Sequence, residues 1–268
     1  MDVEILGKTE GQLRVMVRGI EPTLMNAIRR IVMAEIPIPA IEKVYIAENT
    51  GVIYDEMLAH RLGLVPLKGG ESLILPSECD CNGKGCPKCE SILTLEVEAT
   101  EDHFVVMSGR LKAEGSVFPA NNEIPLVELN QSQRLALEVH AKLGTGKNHT
   151  KWQPVSVSVV KYEPVIKIDM KKCDLCKLCI EECPKKVLAI KGQDLIVTSA
   201  INCSLCKVCE SICPKGAVKV SYNNSNTMLM LESMGTFTNE ELVMLACDAV
   251  SNKCVALRKA LSELPEAP

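Results

Sequence analysis

Apolar and polar positions alternate with period two in two short runs at the start of the chain, Val3/Ile5 and Leu13/Val15/Val17, around the turn-forming Lys8-Thr9-Glu10-Gly11. Alternation of this kind predicts a β-hairpin with one buried face, because successive strand side chains point to opposite sides. The period then changes. Leu24, Ala27, Ile28, Ile31 and Ala34 recur at helical spacing, Pro22 suits a first turn, and Pro37 and Pro39 end the run. A second, shorter amphipathic helix is predicted from Asp55 to Gly63, with Pro66 beyond it. Residues 91–107 and 155–160 alternate as strands do, and Met228 to Leu231 form a further strand candidate. Thr238 with Glu241 makes a capping box for a long last helix. Along it Val243, Cys247, Val250, Cys254, Leu257 and Leu261 form an a/d seam flanked by Leu242, Leu245, Ala246 and Ala249, wide enough to pack against another helix. In that seam Cys247 and Cys254 read as small buried hydrophobes.

Mixed elements of this kind predict an α+β protein. Its 268 residues suffice for one or two domains with a substantial core. The net charge of −4 gives no global basic footprint for nucleic acid, so any DNA contact would be local or through a partner. The N-terminus lacks a basic segment followed by an apolar one, and no run reaches the roughly 18 apolar residues of a membrane span. A cytoplasmic protein without a membrane partner is expected. Fourteen cysteines in a reducing compartment favour metal ligation over disulfides.

Eight of them fall between residues 173 and 214 in two copies of one spacing: Cys173, Cys176, Cys179 and Cys183 before Pro184, and Cys203, Cys206, Cys209 and Cys213 before Pro214. This C-x2-C-x2-C-x3-C-P run matches the bacterial ferredoxin pattern. Three thiolates on a tight loop reach three corners of one Fe4S4 cube, and the fourth, beyond a turn, ligates the other cube. Two [4Fe-4S] clusters are therefore expected, one on Cys173, Cys176, Cys179 and Cys213, the other on Cys203, Cys206, Cys209 and Cys183. Disulfides, zinc or buried cysteines are the alternatives that the doubled spacing argues against. The halves repeat at a thirty-residue offset, pairing Leu175 with Leu205, Lys177 with Lys207 and Lys185 with Lys215. Residues 166–222 hold ten lysines and six acidic residues, so the occupied module would be near neutral. A mobile carrier steered by an acidic surface is not what this segment describes.

Cys79, Cys81, Cys86 and Cys89 crowd a second loop with two glycines and a proline. Four thiolates this close can surround a tetrahedral Zn2+, and no open position would remain for water or substrate. An iron site and four free thiols stay open beside zinc. A third loop carries Gly144, Gly146, Lys147, His149, Lys151 and the lone Trp152. It invites a phosphate-binding reading but lacks the spacing and strand-to-helix setting of a P-loop.

Asn26-Ala27-Ile28-Arg29-Arg30-Ile31, with Glu35-Ile36-Pro37 and Ala40-Ile41, resembles the assembly helix of the RNA polymerase alpha-type subunits. Residues 55–67, DEMLAHRLGLVPL, are similar to the corresponding signature in the archaeal D-type members of that family and their eukaryotic counterparts. The 144–155 loop and the tract Leu231-Glu232-Ser233-Met234-Gly235 with its helix extend the likeness. The resemblance implies a discontinuous dimerisation domain (residues 1–40 and 223–268), an inserted, mostly β domain (41–164) and a ferredoxin-like domain (165–222). It implies pairing with subunit L, with Asn26, Arg29, Arg30 and the seam Val243, Cys247, Val250, Cys254, Leu257 and Leu261 at the contact. On the residues alone, Arg29 and Arg30 are equally a solvated face. Subunits N and P and the large catalytic subunits would assemble on the heterodimer, DNA being met only through the assembled polymerase. Eukaryotic relatives carry zinc near the place of the Cys79–Cys89 loop, while many archaeal ones do not. No Asp-rich triad for two-metal phosphoryl transfer is present, so no catalytic residue is expected in this chain, although the assembled polymerase is a nucleotidyltransferase. His60 has no catalytic role in this reading. The competing class is a ferredoxin-like electron-transfer subunit of an anaerobic oxidoreductase. It would use the cluster motifs and leave most of the chain without a role.

Overall fold

The computed structural model describes residues 1–9, 11–81 and 83–263. Glu10 of the expected hairpin turn, Asn82 of the Cys79–Cys89 loop and residues 264–268 lie outside the described residues. The elements run β1 (Asp2–Lys8), β2 (Gln12–Arg18), α1 (Pro22–Ala34), β3 (Ile38–Asn49), α2 (Asp55–Gly63), β4 (Leu67–Gly69) and β5 (Glu90–Glu98). Then come β6 (Phe104–Met107), β7 (Lys112–Ala113), β8 (Val117–Pro119), β9 (Pro125–Leu129), β10 (Arg134–Gly144) and β11 (Val155–Ile168). The cysteine motifs hold α3 (Leu178–Glu181), β12 (Leu188–Lys191), β13 (Asp194–Val197) and α4 (Val208–Ser211), before β14 (Val218–Ser233) and α5 (Asn239–Ser262). Strands dominate this α+β chain, as the alternating runs imply.

Two compact units share the elements, and the chain passes between them several times. The first is made of Met1–Gly7, Arg14–Asn26 and Val159–Met230. The second is made of Lys8–Leu13, Ala27–Ser158 and the residues from Leu231 on.

In the second unit the sheet order is β3-β10-β5-β7. β10 pairs antiparallel with both β3 and β5, from Leu135 opposite Asn49 and Val97 to Lys142 opposite Ala40 and Glu90. Strict alternation along β5 puts Ser91, Leu93, Leu95 and Val97 inside. Leu93, Leu95, Val139 and Ala141 join Leu58 and Leu62 of α2 in one core, all but excluded from solvent. Full burial of such an aliphatic side chain contributes about 1.5–3 kcal/mol, so α2 is held mainly by its two leucines. His60 is exposed on the same helix. At the end of this unit Thr238 and Glu241 form the expected capping box, and Leu242 and Ala246 are buried. The a/d seam differs from expectation. Cys247 and Cys254 are exposed, as are Val255, Leu257 and Leu261. Only the first turns of α5 bury side chains against their own chain, so the apolar residues further along stay open to solvent in a single copy.

Most of the other four-stranded sheet, order β1-β2-β14-β11, belongs to the first unit. Backbone N–H groups of Gly19 and Ile20 donate to the Ser225 carbonyl, at 2.8 and 3.1 Å, tying the N-terminal segment to β14. The cysteine motifs have a core of their own, in which Val187, Leu188, Leu195, Val218 and Val220 surround Cys179, Cys183, Cys203 and Cys209. β12 and β13 pair antiparallel beside them.

Candidate metal centres

The internal repeat is written into the backbone of the cysteine module. Left-handed φ angles recur at Leu175 (58°) and Leu205 (59°), at Lys177 (67°) and Lys207 (60°), and at Lys186 (49°) and Gly216 (60°). Side chains rarely adopt this region, and five of the six positions are not glycine. Such turns coil each loop tightly and start α3 and α4 from left-handed Lys177 and Lys207. The coiling turns thiols spaced three apart toward one side.

Cys173, Cys176 and Cys179 of the first motif and Cys213 of the second line one cavity, walled by Ile190, Leu195 and Val218. Burial pushes the Cys179 thiol above its usual range, and Cys173, Cys213 and Cys176 push the same way. In the other group burial raises Cys209 to about 11, reinforced by Cys203, Cys183 and Cys206. Cys179 thus feels Cys173 and Cys176 of its own motif and Cys213 of the other, while Cys209 feels Cys203 and Cys206 of its own and Cys183 and, last, Cys179 of the other. Four thiols in such a pocket cannot all ionise unless a polycation offsets their charge, which an iron–sulfur cube does. Backbone N–H groups already favour anionic sulfur at two places. The Leu205 N–H donates to Cys203 Sγ at 3.4 Å, and the Ala217 N–H to Cys213 Sγ at 3.3 Å. Cys176 and Cys206 are exposed, Cys173 and Cys213 half-buried, and the other four buried.

Lys161 of β11 stands beside the second motif, which spacing alone does not indicate. Its Nζ donates to the backbone carbonyls of Ile201 (2.5 Å) and Cys203 (3.0 Å). Burial lowers its pKa, Cys203 opposes that, and Lys185 and Arg14 add to it.

In the second unit Cys79, Cys81, Cys86 and Cys89 bring their sulfurs within 4.8 Å of one another. Three separations are 3.5 Å (Cys79–Cys86), 3.4 Å (Cys81–Cys89) and 3.7 Å (Cys86–Cys89). A tetrahedron with Zn–S bonds of about 2.3 Å has edges of about 3.8 Å, so the donor set fits a Zn2+-sized ion with little adjustment. Hydrogen bonds from Cys89 and then Cys79 hold Cys81 down at about 6, whereas burial pushes Cys89 up to about 12. One thiolate stabilised by its neighbours' S–H groups is what a metal-free cage of four cysteines can reach; a dication is needed for the rest. Gly85, at φ +97°, is strained for any side chain, and a Cβ there would stand 2.0 Å from Glu90 Oε2.

Glu90 in turn belongs to a polar row invisible in the motif pattern. His140 Nδ1 lies 2.8 Å from Glu90 Oε1 and its Nε2 lies 2.6 Å from Glu138 Oε1, with Lys142 Nζ 3.9 Å from Glu90. Glu138, His140 and Lys142 alternate along β10, the one sequence signal that could have placed them on a single face.

The Gly- and Lys-containing loop has no free cradle for phosphate. Lys151 Nζ is committed to the Glu42 carboxylate, to the Ile41 carbonyl at 3.1 Å and to the Trp152 ring, 4.3 Å from its centroid. Trp152 Nε1 donates to the Lys142 carbonyl at 3.1 Å. Gly146 serves close backbone approach: a Cβ there would sit 2.1 Å from the Met33 carbonyl oxygen. Of the expected contact residues, Asn26 and Arg30 are exposed and Arg29 half-buried. Val243 and Val250 are half-buried, and the remaining seam residues are exposed.

Two family descriptions match the chain: the RNA polymerase Rpb3/RpoA insert domain over residues 44–169 and a 4Fe-4S binding domain over residues 166–189. Together they define an alpha-type polymerase subunit that carries an iron–sulfur module. Similarity also runs the length of the chain. DNA-directed RNA polymerase subunit Rpo3 of Methanothermobacter thermautotrophicus is 40% identical over 94% of this chain and 96% of its own. Rpo3 of Methanosarcina acetivorans is 35% identical over 98% and 99%, and that of Archaeoglobus fulgidus 37% over 98% and 98%. The chain belongs to the Rpo3 family of DNA-directed RNA polymerase subunits. A free-standing redox subunit would account for the cluster motifs and leave the insert domain and the remaining likeness without a cause. Among the described residues no helix is long and apolar enough to cross a membrane.

Proposed function

We propose that this chain is the non-catalytic platform subunit of a DNA-directed RNA polymerase, pairing with subunit L and then receiving subunits N and P and the large catalytic subunits in the cytoplasm. Its dimerisation domain would combine residues 1–40 with those from 223 on, around the inserted domain (41–164) and the ferredoxin-like domain (165–222). Likeness to Rpo3 proteins along nearly the whole chain carries the reading. The apolar face of α5 supports it, since Leu257 and Leu261, one turn apart, are 62% and 58% exposed. A soluble chain leaves such a stripe uncovered mainly where a partner covers it. Co-expression with a subunit L is the test: a soluble one-to-one complex is expected. A monomer that ignores subunit L and reduces a partner enzyme would overturn the reading.

In the same proposal Cys173, Cys176, Cys179 and Cys213 hold one [4Fe-4S] cluster, Cys203, Cys206, Cys209 and Cys183 the other, and Cys79, Cys81, Cys86 and Cys89 a structural Zn2+. The clusters supply cross-links that let a small core fold, and a centre able to take up one electron. The protein's own part is to bury the thiols, donate N–H groups to sulfur and carry the module on β11 and β14.

A further inference from the structure

We infer that Lys161 is a tuning residue for the second iron–sulfur site: its fixed ammonium makes the cluster on Cys203, Cys206, Cys209 and Cys183 the more easily reduced of the two. The inference rests on the ligand assignment proposed above.

Lys161 is half-buried, and its nitrogen is anchored on the Ile201 and Cys203 carbonyls, so the charge is held at one place. Cys203 favours its charged form electrostatically, against Lys185 and Arg14. A half-buried cation is unfavourable unless acceptors or an anion complete its site. The partner of opposite sign available there is Cys203 with whatever it binds. A [4Fe-4S]2+ cube with four thiolates is formally about −2, and one added electron makes it about −3. A cation fixed at the mouth of the motif favours the more negative form. Lys161 does not act like the ten lysines of residues 166–222, which are exposed and screened by salt within about 8–10 Å, whereas a half-buried charge is screened much less.

A purely structural alternative is that Lys161 only pins the turn before Cys203. The two roles separate in a redox titration of the anaerobically reconstituted full chain, followed by EPR with dithionite as the electron donor and iron counted on each sample. Wild type should show two one-electron steps. Lys161→Gln should move the upper step down by about tenfold in the reduction equilibrium, about 59 mV for one electron, and leave the lower step in place. Lys161→Arg, which keeps the charge, should leave both steps near their wild-type positions. Two unshifted steps in a fully loaded Lys161→Gln protein, an equal shift of both, or a fallen upper step in a fully loaded Lys161→Arg protein would each overturn the inference. If Lys161→Gln loses half its iron, Lys161→Arg alone decides it. A wild-type chain that takes up no clusters would instead defeat the ligand assignment itself.

Discussion

Cys213, which closes the second cysteine motif, lines the same cavity as Cys173, which opens the first. Under the proposed crossed assignment, whatever these thiols bind would cross-link the two halves of the module. Pairs of substitutions test this. Cys173→Ser with Cys213→Ser should remove one cluster and leave about four of about eight irons. Cys173→Ser with Cys183→Ser strikes both sites and should leave nearly none. Equal iron in the two double variants would contradict the crossed arrangement.

Iron should also decide whether the module folds. Its core is small, and four of its buried side chains are cysteines. Binding energy at the clusters should therefore supply much of its folding energy. Iron chelation is expected to make residues 165–222 exchange amide hydrogens and become protease-sensitive while α5 stays protected. Cys176→Ser or Cys206→Ser should leave pairing with subunit L intact and weaken recruitment of the later subunits. Full recovery of polymerase from cluster-free chain would remove any role in assembly.

At the Cys79–Cys89 loop the prediction concerns pH. Metal binding requires thiolates, so every thiol protonated in the free protein must release its proton. With Cys89 pushed up to about 12, at least one proton leaves at pH 7 to 8, and Zn2+ affinity should rise at least about tenfold per pH unit there. Cys81, near 6, is already mostly ionised at that pH. Below pH 6 it too is protonated, and the slope should steepen by about one proton. Competition titrations with a chromophoric chelator from pH 5.5 to 8 would read this; a pH-independent affinity would show that these sulfurs are not the ligands.

Gly146→Ala should destabilise the second unit by about 1–3 kcal/mol, because a methyl group cannot share space with the Met33 carbonyl. For a unit of this size that lowers Tm by about 2–4 °C per kcal/mol. Gly7→Ala, with nothing within 4 Å, is the control and should change Tm little.

What could be read from the sequence follows the range of each interaction. Ligand spacing is local, so the iron–sulfur character of the cysteine motif was legible from the chain alone. The capping box at Thr238 and Glu241 and the alternation along β5 were equally so. The left-handed turns at Leu175, Lys177, Leu205 and Lys207 were not, since leucine and lysine give no hint of positive φ. Lys161 was missed because its partners lie 40 and 42 residues away. In the 144–152 loop the residue types pointed toward phosphate, yet Gly146 admits a helix carbonyl and Lys151 is spent on Glu42. The seam of α5 was legible as a pattern. Its exposure was not, because a pattern does not say whether the covering surface belongs to the same chain.

The tie between Gly19 and β14 has a consequence in time. The backbone partner of Gly19 is Ser225, and its side-chain partner Asn226 stands 207 residues further along the chain. At a synthesis rate of about 5–20 residues per second, the N-terminal hairpin waits roughly 10–40 s for the strand that shields its edge. All eight cysteines of the module leave the ribosome before that strand does. The order of emergence thus makes all eight thiols available to a metal before the hairpin's edge is closed.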